Sequence, residues 1–147
     1  MAASGTVFTS GPHLAAVIAP GPAPERGFPY NLHVMAKEQR IAYGAGKAVV
    51  VRSLANPADC FVYKGHNQPV TCAKFAPNGF WVASGDASGH VRVWAWDHPE
   101  HLLKGQELAV MACPVKDIDW DPDSKRIVAV GDGSQKQMKS QGTGFVP

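Results

Sequence analysis

Val70–Gly85, VTCAKFAPNGFWVASG, and Val115–Gly131, VKDIDWDPDSKRIVAVG, are two copies of one pattern. Phe75 falls on Trp120 and Pro77 on Pro122, both 45 residues apart, with one residue inserted before Gly131. Each copy alternates apolar and polar residues, breaks at a proline-containing polar turn, and resumes. That alternation belongs to a strand, whose successive side chains point to opposite faces of a sheet. A weaker third copy lies upstream, LHVMAKEQRIAYGAG from Leu32 followed by KAVVVR ending at Arg52.

Between the copies the same reading continues. Short β-rich runs are predicted at 31–35, 40–43, 48–54, 60–63, 70–75, 80–84, 90–95, 115–120 and 126–130, each closed by turn formers. Only 101–108 is ambiguous between strand and helix. The fold class is therefore all-β. A period of about 45 residues with four short strands per unit is that of β-propeller blades, each of which needs neighbours to cover its two faces.

Within this frame, GHNQPVTCAKFAPNGFWVASGDASGHVRVW, residues 65–94, resembles the WD-repeat family. The matching positions are Gly65-His66 before the first strand, Phe75, Pro77 and Gly79 at its end, then Ser84-Gly85 and the terminal Trp94. The resemblance implies a structural hydrogen-bond network in which His66 sits beside the Ser84 hydroxyl and Trp94 contributes an indole N–H. The family usually adds an aspartate in the second turn, and alignment on Gly89 puts Ser88 there. On this alignment Asp86, two residues earlier, is not equivalently placed. Ala95 stands where an aspartate usually follows the tryptophan, so a weakened network is expected.

Further segments narrow the resemblance: ERG at 25–27, IAYGAGKAVVVRSLANP at 41–57, KFAPNGFWVASGDASGHVRVW at 74–94, EHLLK at 100–104 and VKDIDWDPDSKRIVAVGDG at 115–133. In order and spacing they resemble the opening blades of the actin-interacting protein 1 family. That resemblance implies a non-enzymatic cytoplasmic partner of actin filaments and of cofilin, the filament-severing protein, which promotes filament disassembly on the cytoskeleton. It further implies that this chain holds only about two and a half blades of a larger pair of propellers. An arc so short leaves blade faces uncovered, and self-association of the isolated chain is expected. The alternative is a WD-repeat scaffold in an unrelated complex.

Three organisational units follow. Residues 1–24, rich in Ala, Gly and Pro and ending in Pro20-Gly21-Pro22-Ala23-Pro24, form a flexible or extended lead-in. Residues 25–133 are the partial propeller. Residues 134–147, SQKQMKSQGTGFVP, depart from the pattern and are expected to be a divergent flexible tail, as in a truncated or alternatively spliced form.

With 147 residues, 45% of them hydrophobic, the chain has the bulk of one domain. A formal charge of +2 gives no field that calls for nucleic acid or a membrane surface. No Lys or Arg precedes Arg26 and no apolar run reaches the roughly 18 residues of a membrane span, so an intracellular chain without signal peptide or anchor is expected. Cys60, Cys72 and Cys113 form no CxxC pair and suggest neither a disulfide framework nor a zinc site.

Other constellations carry less. DIDWDPDS, 117–124, has the alternating aspartates of a calcium loop, but counted from Asp119 it has Ser124 for the required glycine and Val130 for the bidentate glutamate. His98 and His101 flank Pro99, which resists a helical metal-binding pair, and an enzyme built on them or on the cysteines is the least favoured reading. Gly44-Ala45-Gly46-Lys47 has Ala48 in place of the hydroxyl residue of a phosphate loop and suits a hairpin turn better. Lys136 and Lys139 suit a solvated linker. No cofactor, metal or catalytic residue is expected. Candidate residues for an actin or cofilin surface are Asp132, in the GDG turn, and Lys125 and Arg126.

Overall fold

The computed structural model describes residues 19–22, 24, 26–27, 29–97, 102–133 and 143–146; residues 1–18, the His98–His101 segment, Lys136 and Lys139 lie outside the described residues. Eleven strands are described: β1 Leu32–Met35, β2 Arg40–Ala45, β3 Ala48–Ser53, β4 Cys60–Tyr63, β5 Val70–Phe75, β6 Trp81–Asp86, β7 His90–Ala95, β8 Leu102–Ala109, β9 Val115–Trp120, β10 Ile127–Gly131 and β11 Thr143–Val146. They form two four-stranded antiparallel meanders, β1-β2-β3-β4 and β5-β6-β7-β8, and a three-stranded sheet in the order β11-β10-β9. The architecture is an incomplete all-β propeller.

Each sheet has a neighbour on at least one face, and the alternation of the strands decides what meets it. In β3, Val49 and Val51 point toward the second sheet and pack with Ala73, Phe75, Val82 and Trp94. Val50, between them in sequence, lies on the opposite face with Tyr43. All three valines are fully buried, and burying such a side chain stabilises by about 1.5–3 kcal/mol. In the second sheet Cys72, Ala83, Val91 and Val93 turn the other way, onto Val115, Ile118, Ile127 and Ala129 of the third.

The hairpins follow their turn residues. Gly46 and Lys47 form a two-residue loop with Ala45 paired to Ala48, and Gly46 takes the positive φ of 59° at its first position. That turn, with no phosphate-loop geometry, is what the Gly44–Lys47 stretch becomes. The first hairpin is closed by a short 3-10 turn, Ala36–Glu38, which alternation did not signal.

Three segments show more structure than the sequence reading assigned. The ambiguous stretch at 101–108 is a strand, β8, paired to β7. In the segment expected to be a flexible tail, Thr143–Val146 forms β11 and pairs with β10 from Ile127↔Val146 to Val130↔Thr143. A β-branched and aromatic TGFV following a glycine suffices for a strand where an edge offers backbone partners. The lead-in also makes contacts before residue 25: Ala19 is buried against Tyr43 and Val50, the Tyr43 hydroxyl donates to the Pro20 carbonyl at 2.7 Å, and the Arg52 guanidinium donates to the Ala19 carbonyl. An extended proline-rich backbone has carbonyls without ladder partners, and donors on the outer face of the first sheet satisfy them.

Candidate functional site

A buried chain of side-chain hydrogen bonds lies between the first and second sheets. Ser84 and Asp86 project from β6, Trp94 from β7, and His66 from the loop joining β4 to β5. The Trp94 indole N–H donates to Ser84 Oγ at 3.0 Å, Ser84 Oγ lies 2.7 Å from His66 Nε2, and His66 Nδ1 lies 3.0 Å from Asp86 Oδ2. A carboxylate only accepts, so Nδ1 carries the imidazole proton and Nε2 accepts from the Ser84 hydroxyl. Every hydrogen in the chain then has one donor and one acceptor. Tyr63 of β4 seals the group, stacking on Trp94 at 4.3 Å between centroids and meeting His66 edge-on at 6.1 Å.

Asp86, set aside on the sequence alignment, supplies the carboxylate. Residues 84 and 86 are two apart on a strand and share a face, so strand alternation contains the signal that turn alignment missed. Ser88 instead supports Asp86: its backbone N–H and hydroxyl donate to Asp86 Oδ1 at 2.9 and 2.7 Å, and the His90 N–H adds a third donor at 3.1 Å. The Ser88 hydroxyl in turn lies 2.7 Å from His90 Nδ1. The network is therefore longer than expected and includes a charge-assisted end.

Burial alone would raise the Asp86 carboxyl, but the donors from Ser88, His66 and the His90 backbone outweigh it and hold Asp86 below its ordinary value. For His66, burial dominates over the attraction of Asp86 and keeps the ring below its ordinary value, hence neutral. Ser84, His66 and Asp86 have the connectivity of a hydrolytic triad. Yet Ser84 is 0% exposed and already accepts from Trp94, so its oxygen has no approach for a substrate.

The candidate surface residues do not form one patch. Lys125 and Arg126 are exposed in the turn before β10, whereas Asp132 follows β10 at its far end. Seven residues of extended chain separate those ends by roughly 20 Å. Asp132 is 3.0 Å from Lys116 Nζ in an exposed ion pair.

The first strands of the three sheets, β1, β5 and β9, run side by side and are tied by side chains. The Asn31 amide donates to the Lys116 carbonyl at 2.8 Å and to the Thr71 carbonyl at 3.4 Å. The Trp120 indole donates to the Lys74 carbonyl at 3.2 Å, and Lys74 Nζ lies 3.4 Å from Asp117 and 3.7 Å from Asp119. Two of the four aspartates of the calcium-like stretch, Asp117 and Asp119, thus face a lysine. Cavities of about 390 and 290 Å³ open at the two ends of these strands, the first lined by Tyr30, Asn31, Thr71 and Lys116, the second by His33, Phe75 and Trp120.

Among the described residues no three of His, Cys, Asp and Glu are grouped to hold a metal. No described helix is long and apolar enough to cross a membrane. None of the three cysteines is in a disulfide; burial pushes the Cys72 thiol up to about 12.

Successive four-stranded meanders, the 45-residue repeat and the Trp94–Ser84–His66–Asp86 chain define a class, that of WD-repeat propellers, and residues 51–95 carry its repeat: they match the WD domain, G-beta repeat family. The match begins in β3 and ends with β7, so one sequence repeat spans parts of two sheets. At the level of individual proteins, the chain is homologous to actin-interacting protein 1 of Drosophila melanogaster, 45% identical over 78% of this chain and 19% of that protein. It is 44% identical to the 66 kDa stress protein of Physarum polycephalum, over 84% of this chain and 20% of the relative. WD repeat-containing protein 1 of Mus musculus is 44% identical over 82% of this chain and 20% of the relative. The chain spans about a fifth of the length of these relatives.

Proposed function

We propose that this chain is part of a non-enzymatic actin-filament-binding protein that acts with cofilin to promote filament disassembly in the cytoplasm. The observation that carries the reading is the 45% identity, over most of the chain, to a protein whose name states an interaction with actin. The burial of the Ser84–His66–Asp86 arrangement supports a scaffold rather than a hydrolase. Asp132 on one end of the third sheet, and Lys125 with Arg126 on the other, are the proposed contact residues, acting as two separate sites on a rigid frame. By itself the chain self-associates, because Leu32 and Val34 remain about half exposed on the outer face of the first sheet.

The test is co-sedimentation with cofilin-decorated filaments, using the chain within its full-length protein. Binding that falls on charge reversal at Asp132 or at Lys125 and Arg126 supports the assignment. No binding by the full-length form overturns it and favours a WD-repeat scaffold in another complex, which affinity capture would then recover without actin.

A further inference from the structure

The seam between the first two sheets carries a histidine whose chemistry the WD-type network does not use. His33, on β1, lies 3.1 Å through Nδ1 from the backbone N–H of Phe75, on β5. β5 is an edge strand of its sheet, so the Phe75 N–H is a donor directed across to the neighbouring blade and satisfied there by a side chain. The two rings are also in contact, 5.9 Å between centroids.

We propose that His33 is a proton-operated latch between the first two blades, closed while its ring is neutral and released when Nδ1 takes up a proton. As an acceptor, Nδ1 carries no hydrogen, so the neutral ring bears its proton on Nε2. Protonation places N–H against N–H across 3.1 Å; the bond is lost and the ring has to turn away. The ring lines the 290 Å³ cavity at the ends of β1, β5 and β9, which gives it room to do so.

The charged groups around the ring come from each strand packed on it. Burial and the Lys74 ammonium of β5 oppose the added proton, while Asp119 and Asp117 of β9 favour it. Both aspartates are drawn toward Lys74, at 3.7 and 3.4 Å, which leaves the burial of the ring dominant. Lys37, in the turn after β1, lines the same cavity. The net direction is downward from the ordinary 6.5, so the latch is shut at neutral pH and opens on acidification. Burial likewise keeps His66, in the adjoining polar network, in its neutral form, but there both ring nitrogens are engaged by side chains, so the two histidines are distinguishable.

The experiment is residue-resolved amide hydrogen exchange of the chain within its full-length protein between pH 7.5 and 5, corrected for intrinsic exchange, with the isotope-labelled ring nitrogens of His33 followed by NMR in the same samples. The expected result is a fall in protection at Phe75 of about tenfold, the factor for one net hydrogen bond, with a midpoint matching the His33 titration. In His33→Asn, whose amide oxygen accepts at any pH, the Phe75 protection no longer follows that titration. Protection at Phe75 that stays constant while His33 titrates overturns the proposal, as does a wild-type ring with the proton on Nδ1 at pH 7.5.

Discussion

Ser84 and Asp86 grip one imidazole from both ends: Ser84 Oγ sits 2.7 Å from His66 Nε2 and Asp86 Oδ2 sits 3.0 Å from Nδ1. Two side chains of the same strand thereby fix the loop that joins β4 to β5. Ser84→Ala leaves both the Trp94 N–H and His66 Nε2 buried without partners. A loss of about 1–3 kcal/mol for each group left unsatisfied is expected. Urea denaturation followed by Trp fluorescence measures it, and a loss under about 0.5 kcal/mol would mean that water replaces the hydroxyl.

The same network sets an acid limit. His66 is held below its ordinary 6.5, so the unfolded chain binds a proton first as pH falls, and the stability tied to the neutral ring is fully present only above about 6.5. His33, also lowered by burial, adds to this loss. Asp86 is held below its ordinary 3.8, so its contribution persists above that value and disappears as pH falls through the folded one. The denaturation midpoint should be level above pH 7, decline below about 6.5 and fall again below about 4. A midpoint unchanged from pH 7.5 to 5 would contradict the neutral assignment of both rings.

A turn position recurs in all three sheets with different occupants. Gln39, Gly79 and Ser124 have φ of 50°, 80° and 57°, and each backbone N–H returns to the carbonyl three residues earlier. Only glycine adopts this region without strain. Gln39 is exposed, so Gln39→Gly should stabilise by up to about 1 kcal/mol and Gly79→Ala should cost about as much. Ser124→Gly should be close to neutral, because Ser124 Oγ accepts the Asn78 N–H at 3.0 Å and that bond is lost. Thermal melts of the three variants give the ranking.

Cys72 should be inert in the folded chain. With its thiol pushed up to about 12, roughly one molecule in ten thousand carries the reactive thiolate at pH 8. Iodoacetamide labelling read by mass spectrometry should modify the partly exposed Cys60 first and reach Cys72 only on unfolding. Equal rates at both would place Cys72 in a frequently opened region.

Much of this was legible from residue order because one physical rule, period-2 alternation, governs both the strands and their burial. Val49, Val50 and Val51 announce a strand covered on both faces, and the 45-residue spacing of Phe75 and Trp120 announces the stacking. The carboxylate of the buried network was missed because turn alignment counts back from Gly89, whereas side-chain direction counts forward along β6 from Ser84. β11 was missed because four residues carry little pattern of their own and are recruited by the edge of β10. The docking of Ala19 and Pro20 depends on donors, Tyr43 and Arg52, more than twenty residues away in sequence. Asp132 lies at the opposite end of β10 from Lys125 and Arg126, a separation set by the length of the strand between them.

The offset between repeat and sheet has a practical outcome for anyone cutting or grafting this chain. β4 belongs by sequence to the unit matched at 51–95, yet its backbone pairs with β3 in the sheet before it. The units overlap like roof shingles, and excising one repeat at its sequence borders strips a strand from one sheet while removing most of the next. Designed insertions or truncations that respect whole meanders, at 64–69 rather than near 51, should leave each remaining module intact.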